Sequence, residues 1–448
     1  MGLSLKMSAL ERAGVSSGDT AAHAPGSPLC EWRAELDAPV IAAVVARVCG
    51  GDAVVALTTQ GRAPIVHAIT TKGINGSKSV CSLGRAAPGE PLTAVCALDE
   101  RVFLASVSAI YELMAGSHRT HRLVLLYPAR DISWPIRSLS AERCGAAIVL
   151  VATFGLPAQD PQGTGLLLLC LRGGCPQATV LPVSVADTAC PSLRYDPASS
   201  LLYVLTPTTD AGVVLCCVCF QEPVTSDPAL RGFEWFTQTG TEFYMSRVVV
   251  SSPEEHLLYR CKEGPGLAEA QVGAVCMCGT SAVVAVSAVF ETGERSDLPV
   301  LLVVSGLLSH LLFSTIELDG IGSQSLPPES ESFRICSLSP SSAAPGSLCL
   351  AFCKGSLLHF HRMPVESGAD GPRSVGTCEL APSTHMFCAL YETEGALRCV
   401  FTAVDGARLF LCMASTQVSS GRRAGVGGRS QKDQEGRQRK HKARVSDA

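Results

Sequence analysis

The chain has 448 residues, 47% of them apolar and only 17% charged, so it holds ample material for a buried core of strands covered on both faces. The net charge of −4 is unevenly placed: residues 421–448 carry nine Lys/Arg against three Asp/Glu, a surplus of six, which leaves −10 on the rest. A mildly acidic body with a basic tail excludes a nucleic-acid sleeve formed by the whole domain.

Residues 1–30 are small, polar and rich in Pro and Gly, and read as a disordered leader. Lys6, Glu11 and Arg12 interrupt any apolar stretch of signal-peptide length. Lys6 also stands where a myristoylation signal needs Ser or Thr. The G-x-S-x-G run at 14–18 has neither the strand before it nor the helix after it that a nucleophile elbow requires, so it reads as chance.

From about residue 31 the chain is a succession of short apolar runs separated by Gly, Pro, Asp and Ser. Units are drawn at 40–71, 92–131, 135–185, 193–220, 233–260, 273–319, 333–363 and 377–413. The clearest are DERVFLASVSAIYEL at 99–113, RYDPASSLLYVLTPTTDAGVVLCCVCF at 194–220, LCLAFCKGSLLHFHRM at 348–363 and LRCVFTAVDGARLFLCM at 397–413; the least clear is 233–260. A repeat of roughly 45–55 residues is what four-stranded blades need. The expected fold is all-β: a single β-propeller of seven, or eight, four-stranded blades over 31–414, with seven favoured if N-terminal strands complete the last blade. Two β-sandwich domains are the alternative architecture.

The stretch 298–316, LPVLLVVSGLLSHLLFSTI, carries no formal charge over the length of a membrane helix. Ser305-Gly306 is a turn signal and the residues around it are β-branched, so two strands joined by a tight turn are expected.

The unit ending Ile110-Tyr111-Glu112-Leu113 closes on an aromatic and an acidic residue. In this the chain resembles the Trp-Asp-repeat and related divergent β-propellers. The hairpin AIVLVATFGLPAQDPQGTGLLLLCL is similar to blades of cleavage-factor and damage-binding scaffold propellers. The chain departs from the repeat family in having no Trp-Asp dipeptide and no Gly-His pair, and Trp32, Trp134 and Trp235 are not periodic. The resemblance implies a scaffold role and transfers no functional residue.

Twenty-one cysteines, an odd number, show no framework of disulfide spacings. Cys96, Cys170, Cys216, Cys217, Cys219, Cys276, Cys349, Cys399 and Cys412 sit within apolar runs, where a thiol packs as a small hydrophobe. A reduced, cytoplasmic or nuclear protein is the expectation. The groupings Cys216/Cys217/Cys219 and Cys276/Cys278 have apolar neighbours rather than the positive charge that activates thiolates, and read as core. His359 and His361 share a strand face near Cys353, but no C-x-x-C lies beside them and strand histidines are the plainer reading of them. Asn75-Gly76-Ser77 is a sequon read as a turn, and the surrounding GINGSKS lacks the spacing of a phosphate loop.

The tail from Ser415 carries Arg422, Arg423, Arg437, Arg439, Lys440, Lys442 and Arg444. These are the candidate nucleic-acid contact or localisation signal, with no aromatic among them to stack on bases. The expected function is a non-enzymatic scaffold or adaptor subunit with protein partners, no metal, no cofactor, no small-molecule substrate and no membrane span. The alternative is a nuclear, nucleic-acid-associated accessory subunit acting through the tail. A propeller hydrolase would need carboxylates or histidines converging on a channel, and the sequence offers no such cluster.

Overall fold

Twenty-nine strands and no helix occur among the residues described by the computed structural model. Those residues lie between 29 and 415, apart from connecting segments of which the longest are 220–245, 251–265 and 319–332.

The first strand, β1 (Leu29–Glu35), waits for a partner at the far end of the chain. A sheet follows from β2 (Val40–Val48), β3 (Gly51–Thr58), β4 (Ile65–Thr70) and β5 (Gly73–Ser79). The next has β6 (Cys81–Ser82), β7 (Leu92–Leu98), β8 (Arg101–Ser106), β9 (Ala109–Ala115) and β10 (His121–Pro128), with β6 added parallel to β10. The third is β11 (Ile136–Cys144), β12 (Ala147–Phe154), β13 (Gly165–Arg172) and β14 (Cys175–Leu181). The fourth is β15 (Ser192–Asp196), β16 (Leu201–Pro207), β17 (Val213–Cys219) and β18 (Ser246–Val250). The fifth is β19 (Leu267–Cys278), β20 (Ser281–Phe290), β21 (Val300–Ser305) and β22 (Leu312–Ile316). The sixth is β23 (Phe333–Pro340), β24 (Ser347–Lys354), β25 (Leu357–Pro364) and β26 (Arg373–Glu379). The last is β27 (His385–Thr393), β28 (Ala396–Ala403) and β29 (Arg408–Ser415), completed on its outer edge by β1. In β1, β5, β6, β18 and every strand after β25 the description is of backbone pairing.

Apart from β6 and β1, every sheet is an antiparallel meander, and its innermost strand touches the innermost strand of the next. The contacts run β2 to β7, β11, β15, β19, β23 and β27, and return from β27 to β2. Seven described sheets with their first strands in a closed cycle form a β-propeller, not a pair of sandwiches.

Burial explains why the sequence reads as unbroken apolar runs. The second strand of a sheet lies between two neighbouring sheets, so both its faces are dry. In β12 all eight residues are buried. Its side chains still alternate: Val149 and Val151 pack toward the fourth sheet, while Ile148, Leu150 and Ala152 pack toward the second. β20 divides in the same way, with Val284 and Val286 against the fourth sheet and Val283 and Ala285 against the sixth. The core is thus a set of walls between sheets, in which each fully buried Val or Leu contributes about 1.5–3 kcal/mol.

Tight turns join first and second strands. Gly50, Gly145 and Gly279 occupy them at φ 78°, 59° and 59°, where a side chain is disfavoured. Asp99 and Ser200 take the same left-handed conformation at φ 54° and 55° without being glycine.

Two expectations need correction. The segments 193–220 and 233–260 are not separate units: SRVVV of the latter is β18, the outer strand of the fourth sheet. A 26-residue connection (220–245), outside the described residues, hid that pairing from a reading based on even spacing. Asn75 is not in a turn but within β5, paired with β4. The stretch 298–316 does form two strands, β21 and β22, with Gly306 at φ 67° after the first. No helix among the described residues is long and apolar enough to cross a membrane.

Candidate functional site

The first strands enclose a cavity of about 800 Å³ at the ring's centre, lined by β2, β7, β11, β15, β19 and β23. Five of these strands break register against their neighbours near the cavity. The extra residues are Ile41, Thr93, Arg137, Gly273 and Cys336, and all five line it. β27 has the same interruption at Cys388, whereas β15 has none. A bulge bends its strand and re-aims one side chain, and here the repeated bulge sets what the channel presents.

At Gly273 the bulge permits close approach: an added Cβ would lie 2.7 Å from Ile335 on β23. Arg137 is the one charged side chain in the described lining. Hydroxyls supply most of the remaining polarity and also tie sheets together. Ser140 Oγ donates to the Pro191 carbonyl at 2.6 Å, and Ser192 Oγ accepts the Met277 N–H at 2.9 Å. Ser138 and Thr153 share a 2.6 Å hydrogen bond within the third sheet. Cys190 lies 3.3 Å from Ser140 Oγ, with its thiol pushed up by the surrounding protein.

The turn between β7 and β8 joins three sheets through charge. Arg143 of β11 reaches Asp99 Oδ2 at 2.5 Å, and Arg47 of β2 lies 3.7 Å from Glu100. Within the second sheet Arg101 makes a two-pronged contact to Glu112, at 2.6 and 2.8 Å, and lies 5.0 Å over the Phe103 ring. Glu112 belongs to the Ile110–Leu113 sequence that carried the resemblance; its role is to receive that arginine. Glu90 accepts Ser106 Oγ at 2.9 Å and the Ser108 N–H at 2.8 Å. Burial opposes ionisation there, but these bonds and that of Ser108 Oγ prevail and hold the carboxyl below its ordinary value.

His359 and His361 do share a face of β25, stacked with Phe352 at 4.8 and 5.4 Å between ring centroids. Both are buried, and His359 Nε2 and both nitrogens of His361 make no hydrogen bond. Desolvation lowers both basicities, that of His361 to about 4, so the imidazoles are neutral. Cys353 follows Phe352 and points to the opposite face, which separates it from this pair. Cys216, Cys217, Cys276 and Cys278 are buried in the walls. Cys219 has no described side chain. Among the described residues no group of three or more His, Cys, Asp or Glu is placed to hold a metal ion. The 14–18 motif and the seven basic residues of the tail lie outside the described residues.

The bulge residues escaped the sequence reading, since a bulge carries no composition of its own and these five are of five types. The proximity of Cys336 to Cys353, whose sulfurs lie 3.4 Å apart, was equally hidden. The signal was present only as two cysteines on either side of one hairpin.

No protein-family model and no curated protein sequence matches this chain. Solved structures similar to it include the polysaccharide lyase Uly1, with TM-score 0.49, 9% identity, and coverage of 86% of this chain and 91% of that one. The WD40 domain of coronin from Toxoplasma gondii gives 0.41 at 10% identity, covering 87% of each chain. The WD40 domain of SCAP from fission yeast gives 0.42 at 10%, covering 89% and 90%. The closed ring of seven described sheets makes the chain a β-propeller.

Proposed function

We propose that this propeller is a non-enzymatic scaffold or adaptor subunit that holds protein partners within a larger assembly. The observation that carries the reading is the construction of the ring. Apolar walls, the Ser192–Met277 and Ser140–Pro191 bonds and the Asp99–Arg143 pair fix the sheets against one another. Such a frame presents its inter-strand loops as a preorganised surface, with specificity supplied by loop side chains. The channel's described lining, hydroxyl-rich with one arginine, suits binding through hydrogen bonds. Residues 31–414 form the working body in this reading, in a cytoplasmic or nuclear setting, with no cofactor.

Affinity purification of the full chain and of a chain ending at Ala414, each with and without nuclease, tests the proposal. Stoichiometric protein partners retained in all four preparations are the expected result. Partners lost on nuclease treatment or tail removal would replace it with the second reading. The surplus of six positive charges in 421–448 favours that reading: a nucleic-acid-associated accessory subunit bound through Arg422, Arg423, Arg437, Arg439, Lys440, Lys442 and Arg444. Its mark would be affinity for RNA that falls steeply with salt and disappears with the tail.

A further inference from the structure

The sixth sheet holds two thiols whose placement no scaffold role requires. β23 and β24 pair in register from Arg334 opposite Cys353, and then shift between Ile335 and Ser337, leaving Cys336 as the extra residue. The bulge brings Cys336 Sγ to 3.4 Å from Cys353 Sγ, while Cys336 also lines the central cavity. Both cysteines are half-buried, unlike the fully buried thiols of the walls, and Arg334 beside them is exposed. From this geometry we propose that Cys336 and Cys353 are a dithiol modification site, oxidised to a disulfide by hydroperoxides that reach Cys336 through the channel.

Electrostatics assign the roles. The two sulfurs share a hydrogen bond; with the Cys353 S–H as its donor, it holds the Cys336 thiol below its ordinary value against the opposing effect of burial, and the Arg334 charge acts in the same direction. Cys353 is pushed up in return. Cys336 is therefore the attacking thiolate and Cys353 the resolving thiol. In the first step the Cys336 sulfur attacks one peroxide oxygen; an S–O bond forms, the O–O bond breaks, and the leaving alkoxide or hydroxide takes a proton to depart as alcohol or water. In the second, Cys353 sulfur attacks the Cys336 sulfenic sulfur; the S–S bond forms, the S–O bond breaks, and hydroxide leaves with the Cys353 proton as water. Two thiols lose two electrons and one hydroperoxide gains them. The sulfurs must close from 3.4 Å to a bond of about 2.05 Å, a movement the unpaired bulge residue can make.

The test uses the reduced full chain exposed to hydrogen peroxide, alkylated in denaturant and digested with trypsin. One peptide, 335–354, contains Cys336, Cys349 and Cys353. The expected product lacks two hydrogens and carries a single alkyl group, on Cys349. Three alkyl groups at peroxide levels that convert free cysteine to cystine would overturn the proposal, as would a bond from Cys349 or to another peptide. In Cys353→Ser, dimedone should label Cys336; in Cys336→Ser, labelling of Cys353 would refute the assigned order. Arg334→Gln should slow oxidation at neutral pH by about tenfold, the effect of one unit in thiol pKa, and an unchanged rate would remove Arg334 from the site.

Discussion

Two neighbouring inner strands carry cysteines and treat them in opposite ways. On β19, Cys276 and Cys278 lie beyond the Gly273 bulge, where pairing with β20 is regular, and pack into the wall shared with the sixth sheet, among Val283, Leu350 and Phe352. Their exposures are 1% and 5%, and burial pushes the Cys276 thiol upward. On β23 a single extra residue interrupts the ladder, and Cys336 turns to the channel with a second sulfur and an arginine at hand. Thiol density, which singled out the first group in the sequence, is a poor guide to chemistry. A bulge and a neighbouring cation decide it.

The wall side of this contrast breaks most readily at Phe352, which is 1% exposed and packs with Cys276 and Cys278. Phe352→Ala should lower stability by about 3–5 kcal/mol in urea unfolding. It should also expose Cys276 and Cys278 to a maleimide that leaves them untouched in the parent protein. A loss below about 1 kcal/mol would show that the wall repacks freely.

The histidines stacked on Phe352 couple that wall to pH. Their folded-state basicity is depressed, so the unfolded chain takes up protons first. Stability from this source is complete above about pH 6.5 and is lost as pH falls toward 4. His361 alone should account for about 2 kcal/mol lost between pH 7 and 5, since each unit of pKa difference corresponds to about 1.4 kcal/mol. His361→Phe should flatten urea midpoints over that range, and an unchanged slope would place the loss elsewhere.

The contrast itself is sharpened by paired serine substitutions. Cys276→Ser places a hydroxyl in an apolar wall and should cost about 1–3 kcal/mol. Cys336→Ser, facing the channel, should cost under about 1 kcal/mol. The smallest effect belongs to the rim: Asp99→Gly loses an exposed ion pair with Arg143 but relieves the left-handed backbone, so the unfolding midpoint should move by less than about 1 kcal/mol in equivalent stability.

Much of the fold was legible because second strands announce themselves. AIVLVATF and SAVVAVSAVF read as strands from composition alone, and the turn signal at Ser305-Gly306 divided β21 from β22 correctly. First strands were harder to read, since one stretch of them faces a channel and carries Ser, Thr and Arg among its apolar residues. The grouping of β15–β18 failed for another reason: β17 and β18 are neighbours in space but separated by residues 220–245 in the chain. The candidate site was hardly legible at all. Cys353 had been associated with His359 by proximity in sequence, yet strand alternation sends them to different faces, and the real neighbour of Cys353 is on the preceding strand.

The pairing of β1 with β29 sets Leu29 opposite Met413, so the last sheet is assembled from the two ends of the body. During synthesis β29 emerges long after β1, and until then the outer edge strand has no place to dock. The ring therefore cannot latch progressively; it closes in one late event that must overcome the largest loop-closure entropy in the molecule. Before that event an unlatched β1 and a bare β29 are both open to foreign strands, and the finished protein depends on these two segments finding each other first.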